Sequence, residues 1–403
     1  MKNIVIINGG RGASSIIPAL LEKENVSITS IVNAYDDGKS TGEIRRFFNM
    51  LGPSDLRKVQ QLFLPESDHL DEHNSLFDFR YPLHSNHGEV VKSLRAFANN
   101  DTKKICNISL TNTKVIKPLQ EITRSFLNSL QIIEQSKSIK FNFSDCSIMN
   151  CLYAGAFLIN SRNIERTADY FKKVFDLKGS VIPNCIENRY LVAQRENGEV
   201  LKCEAEIVEL RSSVKIRRIY LLENPLDEAF IENLNHKEQE EFLKMHDSFV
   251  ELSKTSLIAL ENADIIIYSS GTQHSSLYPT YMTRGFGNAI AKNSKAFKVF
   301  ITNIGADYET PSYKASDFIK GAHKYLNVAS SENISFNKLF NTMLINQNQN
   351  EDNDNYVKLD NEELKKLHCK LKITDLESRK GSGKHCGSKT ISEIFEEYKN
   401  FLK

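Results

Sequence analysis

The feature that most constrains this chain lies at its start, where NIVIIN (residues 3 to 8) runs straight into Gly9, Gly10 and Gly12. An unbroken β-branched run asks for burial on both faces, the condition of an inner strand of a parallel sheet. The segment ASSIIPALLEKE that follows reads as a helix, with Pro18 admissible in its first turn or at a kink. SITSIVNA (27 to 34) reads as the next strand. Strand, glycine turn, helix and strand make a right-handed βαβ unit. The expected fold is therefore α/β and Rossmann-like, three-layered around a mostly parallel sheet. Glycines in this turn let backbone amides close on an anion, with the amino end of the helix behind them. A purely structural tight turn explains an isolated glycine cluster equally well; its position, where doubly wound sheets bind ligands, favours the anion. As a dinucleotide fingerprint the turn is incomplete, because Ser15 stands where a third glycine belongs.

Length and composition narrow the remaining choices. At 403 residues the chain has room for two or three domains, or for one large α/β unit carrying an insertion. Its 52 basic and 51 acidic residues nearly cancel, which argues against nucleic acid or an anionic membrane as partner. Any anion has to be met locally. The seven cysteines are scattered and never form CxxC, the pattern of reduced thiols rather than of disulfides or zinc. The apolar start is too short for a signal peptide, and no stretch reaches the 18 or so apolar residues of a spanning helix. A cytoplasmic protein is expected.

Residues 36 to 57, DDGKSTGEIRRFFNMLGPSDLR, read as a long polar, glycine-punctuated loop of the kind that carries function. Residues 84 to 140 read as an inserted, partly helical subdomain or lid, and 147 to 175 as paired helices. The alternation in RYLVAQRENGEVLKCEAEIVEL, with its Asn197-Gly198 turn, predicts an antiparallel hairpin element. ADIIIYSS repeats the logic of the amino terminus, a buried strand ending in a glycine turn, and AFKVFITNI (296 to 304) is a further strand. Residues 346 to 356 form a polar low-complexity loop before a closing amphipathic helix. The expected division is one domain over 1–345 with the insertion 84–140 inside it, and a segment 346–403, loop and helix, packed on the same domain.

Two further clusters can carry chemistry. Asp36, Asp37 and Asp55 share a segment with Lys39, Ser40, Thr41, Arg45 and Arg57, a mixture suited to magnesium and phosphate. Ordinary turn chemistry also explains Asp-Gly and Pro-Ser-Asp. NAYDDGKS imitates a P-loop, but Asn33 replaces its first glycine and two carboxylates would sit inside the cradle, so that reading is rejected. Gly271, Thr272, Ser275 and Ser276 follow ADIIIYSS and suit an anion or a ribose, with His274 and Tyr278 as neighbours; a plain serine-rich loop is the alternative. His274 has no carboxylate partner in sequence and receives no catalytic role. No GxSxG elbow occurs, and GSGKHCG (381 to 387) is equally a flexible turn before the last helix.

These segments together resemble the CofD-like/YvcK-like family, which includes the phospholactyl transferase of deazaflavin coenzyme synthesis and bacterial gluconeogenesis factors that bind nucleotide sugars. NGGRGASSIIPAL looks like the family's GGGTGL opening, and NAYDDGKSTGEIRR with LGPSDLRK looks like its DDGGSSGRLR and PPGDIRN motifs. SLFDFRYP, SDCSIMN and ADIIIYSSGTQHSSLYPT resemble LFQYRF, GHSVGN and ADLIVLGPGSLYTSVLPN in the same order. Departures stand at Arg11 for a threonine, Lys39 for a glycine, Cys146 for a histidine and Ser269-Ser270 for Gly-Pro.

The resemblance implies a nucleotide diphosphate at Gly9, Gly10, Arg11 and Gly12 and at the 271–276 turn, with Lys39, Ser40, Arg45 and Arg57 near the phosphates. It further implies Asp37 and Asp55 on the magnesium or acceptor side, and Ser147 and Asn150 lining the cleft. The expected activity is transfer of a phosphoryl-linked group from a nucleotide-diphosphate-linked donor to an acceptor hydroxyl, with Asp36, Asp37 and Asp55 catalytic. Alternatives are a non-catalytic nucleotide-sugar-binding regulator and an NAD(P)-dependent oxidoreductase. The expected partner is a nucleotide-diphosphate-linked small molecule, and a homodimer is compatible with the sequence.

Overall fold

The computed structural model describes residues 1–10, 12–347 and 355–403, and of Lys39 the backbone alone. The chain forms two compact units, residues 1–35 with 182–403, and residues 36–181.

The first unit is built on a seven-stranded sheet. Its strands are β1 (Lys2–Ile7), β2 (Val26–Val32), β5 (Ser180–Pro183), β9 (Ile265–Tyr268), β10 (Phe297–Ile301), β11 (Thr342–Asn346) and β12 (Lys370–Thr374), in the order β12-β11-β10-β9-β1-β2-β5. The five pairs from β12 to β2 run parallel. Ile4, Val5, Ile6 and Ile7, like Ile265, Ile266 and Ile267, are buried, as a strand covered on both faces requires. The strand expected at 3 to 8 thus lies inside the sheet, between β9 and β2. From β1 the chain builds outward through β2 on one side; from β9 it builds outward on the other. The reversal falls between β1 and β9, the switch point at which such sheets leave a crevice beyond their carboxyl ends.

Pro18 is the third residue of the helix Ile16–Leu21, inside its first turn, where the missing N–H breaks no helical bond. That short helix packs on the closing helix Gly387–Phe401, which buries Ile391, Ile394 and Tyr398. A small antiparallel sheet joins β6 (Tyr190–Arg195), β7 (Val200–Leu201) and β8 (Ile216–Leu222). The Asn197-Gly198 turn falls where the sequence puts it, with Gly198 at φ +93°. The expected strand through EAEIVEL is instead the helix Glu204–Glu209, and the third strand comes from β8. Of the polar loop expected over 346–356, positions 348–354 lie outside the described residues.

The second unit is helical, with a two-residue strand pair, β3 (Lys104–Ile105) and β4 (Ile108–Ser109). The long loop expected over 36–57 is in fact two helices, Lys39–Phe48 and Ser54–Gln61. Asn49, in the left-handed region at φ 49°, ends the first helix, and Pro53 starts the second. The insertion expected over 84–140 contains the helices His87–Ala98 and Thr113–Lys137, and the paired helices expected after 147 are Ile148–Ile159 and Ile164–Val174. Phe47, Phe48, Phe126, Phe141 and Phe143 meet edge-on and tilted in the core.

Candidate functional site

In the first unit, two glycine turns stand against each other at the switch point. A Cβ on Gly9 would overlap the side chain of Ser276, and one on Gly12 would overlap the carbonyl oxygen of Ser270. The structure therefore brings together the first and third sequence clusters, and glycine is required at both contacts because the opposing chain leaves no room. Within the first turn Gly12 donates to Gly9 O at 3.0 Å. The amides of Gly9, Gly10 and Ala13 donate to no group among the described residues. Arg11 itself lies outside the described residues.

Polar side chains continue this edge. Asn8, Ser269 and Thr302 each follow directly on β1, β9 and β10, and each is buried. Asn8 Oδ1 accepts from Ser30, but Asn8 Nδ2, Ser269 Oγ and Thr302 Oγ1 find no partner among the described residues. Buried polar atoms are ordinarily satisfied, so a row of three at the ends of adjoining strands calls for water or a ligand. Sequence reading missed these residues; the signal was a polar residue ending each apolar run.

The second turn is organised differently. Asn303 clamps the Gly271 peptide on both sides, accepting from Gly271 N at 3.0 Å and donating to Gly271 O at 2.9 Å. Thr272 Oγ1 donates to Ser276 Oγ at 2.9 Å, and Asn33 Nδ2 donates to Ser276 O at 2.9 Å. The buried Glu309 accepts from His274 N at 2.9 Å, from Ser275 N at 3.0 Å and from Ser275 Oγ at 2.5 Å. Burial and the neighbouring Asp307 push the Glu309 carboxyl up to about 8, against the pull of these three donors. His274 is buried, and desolvation pushes its imidazole down to about 3.

The second unit gathers the other cluster. Arg45 Nη1 and Arg46 Nη1 each lie 3.6 Å from Asp37 Oδ1. Lys58 Nζ lies 3.5 Å from Asp36 Oδ2 and 3.6 Å from Asp55 Oδ1, so one ammonium spans two carboxylates. Burial raises the Asp37 carboxyl against the pull of Arg45. Arg57, buried and lowered by desolvation, donates from Nε to Asn150 Oδ1 at 2.8 Å and from Nη1 to Phe77 O at 3.3 Å. Asn150 Nδ2 in turn donates to Ser40 Oγ at 3.1 Å and Thr41 Oγ1 at 3.3 Å, and Ser147 N donates to Ser40 Oγ at 3.4 Å. Ser40, Arg57, Ser147 and Asn150 thus form one network. Lys58, absent from the sequence-based set, is the residue that holds Asp36 and Asp55 together. Among the described residues no three His, Cys, Asp or Glu side chains are grouped to hold a metal ion. No described helix is long and apolar enough to cross a membrane.

The chain is of the doubly wound α/β class, with a glycine turn at the switch point of its parallel sheet. The family described as 2-phospho-L-lactate transferase CofD matches residues 4–377, and the chain belongs to that family. A putative gluconeogenesis factor of Thermotoga maritima is 25% identical over 324 residues, covering 80% of this chain and 75% of that one. A gluconeogenesis factor of Halalkalibacterium halodurans is 24% identical over 334 residues, covering 83% and 76%. A crystal structure of a Bacillus halodurans protein superposes with a TM-score of 0.67 at 22% identity over 98% of this chain and 99% of the other. A second, described as a member of the upf0052 family from the same organism, gives 0.67 at 21% identity over 98% and 100%.

Proposed function

We propose that the protein is a transferase that binds a nucleotide-diphosphate-linked donor and passes its phosphoryl-linked group to an acceptor hydroxyl. The observation that carries this reading is the set of undonated amides at Gly9, Gly10 and Ala13, placed at the switch point beside three unpartnered polar side chains. Amides fixed in a turn stabilise phosphate charge without reorganising as it develops. In the reaction the acceptor oxygen attacks the phosphorus of the transferred group and the P–O bond to the nucleotide breaks. The nucleoside monophosphate leaves with the electron pair. We assign the acceptor proton to Asp36 and charge neutralisation to Arg45 and Arg57. Magnesium, when bound, supplies further neutralisation of phosphate charge. Asp37 and Asp55 suit it only alongside the ligand's own phosphate oxygens, the usual manner of magnesium binding.

The test is turnover of nucleotide-diphosphate-linked compounds by the wild type and by Asp37→Asn. A fall of about a hundredfold supports the reading; an unchanged rate removes it. A non-catalytic nucleotide-sugar-binding regulator is the second reading. It draws support from the names of the relatives and from Lys58, whose ammonium already stands between Asp36 and Asp55. Calorimetric titration with UDP-, GDP- and CDP-linked compounds separates the two, tight binding without product favouring the regulator.

A further inference from the structure

The two glycine turns differ in one respect that bears on what each can hold. In the first, the amides of Gly9, Gly10 and Ala13 are undonated. In the second, Gly271 N is taken by Asn303, and His274 N, Ser275 N and the Ser275 hydroxyl all converge on the carboxyl of Glu309. Two adjacent amides and a hydroxyl aimed at one point are an anion cradle, and here a side chain of the same protein fills it. Glu309 is 3% exposed. It is held in place from its own loop, where Glu309 N donates to Asp307 Oδ1 at 2.8 Å.

We infer that the Glu309 carboxyl is the resident occupant of the second turn's amide cradle, which leaves the ligand's phosphates to the first turn. This deepens the function proposed above and, in its second half, rests on it. A phosphate brought to the second turn would have to displace a carboxyl that already accepts three hydrogen bonds, and where that carboxyl is ionised it would also meet its charge at short range. The ionisable groups facing the cradle are Asp307 on the Glu309 loop, His274 on the turn, and Tyr313, whose hydroxyl lies 3.4 Å from His274 Nε2; the charges of Lys324 and Arg195 reach His274 as well.

The test uses Glu309→Gln, which keeps an oxygen for the two amides and removes the charge. Binding of inorganic pyrophosphate is measured by calorimetry at pH 9, where the carboxylate of the wild type is ionised. The variant is expected to bind it roughly threefold to tenfold more tightly; equal affinity overturns the proposal. Should neither protein bind pyrophosphate, the phosphate assignment of the first turn fails, and the Glu309 cradle is decided by a second measurement. In Glu309→Ala, formate is expected to raise the melting temperature, or to be required for refolding, while the neutral isostere formamide does neither. Equal rescue by both, or rescue by neither, overturns the proposal.

Discussion

Gly12 illustrates how far a single residue type can be read. A side chain there would strike the Ser270 carbonyl, so Gly12→Ala is expected to cost about 2–3 kcal/mol in urea unfolding, against a smaller loss of about 1 kcal/mol for Gly381→Ala, where φ is +85° but the space is open. The glycines were legible because a turn between strand and helix has few other uses for them. Glu309 was not: an acid in DYETPSY looks like any solvated loop, and only the fold buries it. Its linkage to stability has a definite sign. The folded carboxyl titrates near 8 and the unfolded one near 4.5, so the unfolded state loses its proton first and stability falls as pH rises through that window. His274 and His385, pushed down by burial to about 3 and about 4 from 6.5, act the other way, and stability falls as pH drops from 6.5 towards those values. Urea unfolding across pH 5 to 9 is expected to show the alkaline loss in the wild type and a flatter curve between pH 6.5 and 8 in Glu309→Gln.

At the level of elements, the central strands and the Asn197-Gly198 hairpin were readable because apolar runs and positive-φ turns are local signals. The helices Lys39–Phe48 and Ser54–Gln61 were not. Glycine, serine and aspartate suggested a loop, while the outcome was set by Ile44, Phe47, Phe48, Leu56 and Val59, which bury one face of each helix. EAEIVEL failed in the opposite direction, its alternation mimicking a strand where a single helical turn and a half forms. Ser40 and Arg57 were singled out by the company they keep in sequence and Ser147 and Asn150 by resemblance, and their mutual hydrogen bonds are a tertiary fact. Because Arg57 reaches Asn150 and Phe77 with two different edges of its guanidinium, Arg57→Lys is expected to lose about 2–3 kcal/mol. Chemical denaturation measures it, and a loss under 0.5 kcal/mol would show the network to be dispensable.

On the scale of the whole molecule, each of the two compact units closes a core of its own. Calorimetry is therefore expected to resolve two transitions, with a calorimetric enthalpy above the van't Hoff value for either; a single two-state endotherm would contradict this. That the chain is α/β was plain from its first 34 residues, but the boundaries at 35/36 and 181/182 were not, since no linker composition marks them. The switch point also has a temporal side. Its two strands are joined at their base by a bond from Asn3 to Asp264, 261 positions apart. At ordinary rates of translation the ribosome needs roughly ten to fifty seconds to cover that distance. The nascent amino terminus must wait that long for its neighbour, so the growing polypeptide completes this edge of the sheet only after most of it has been made.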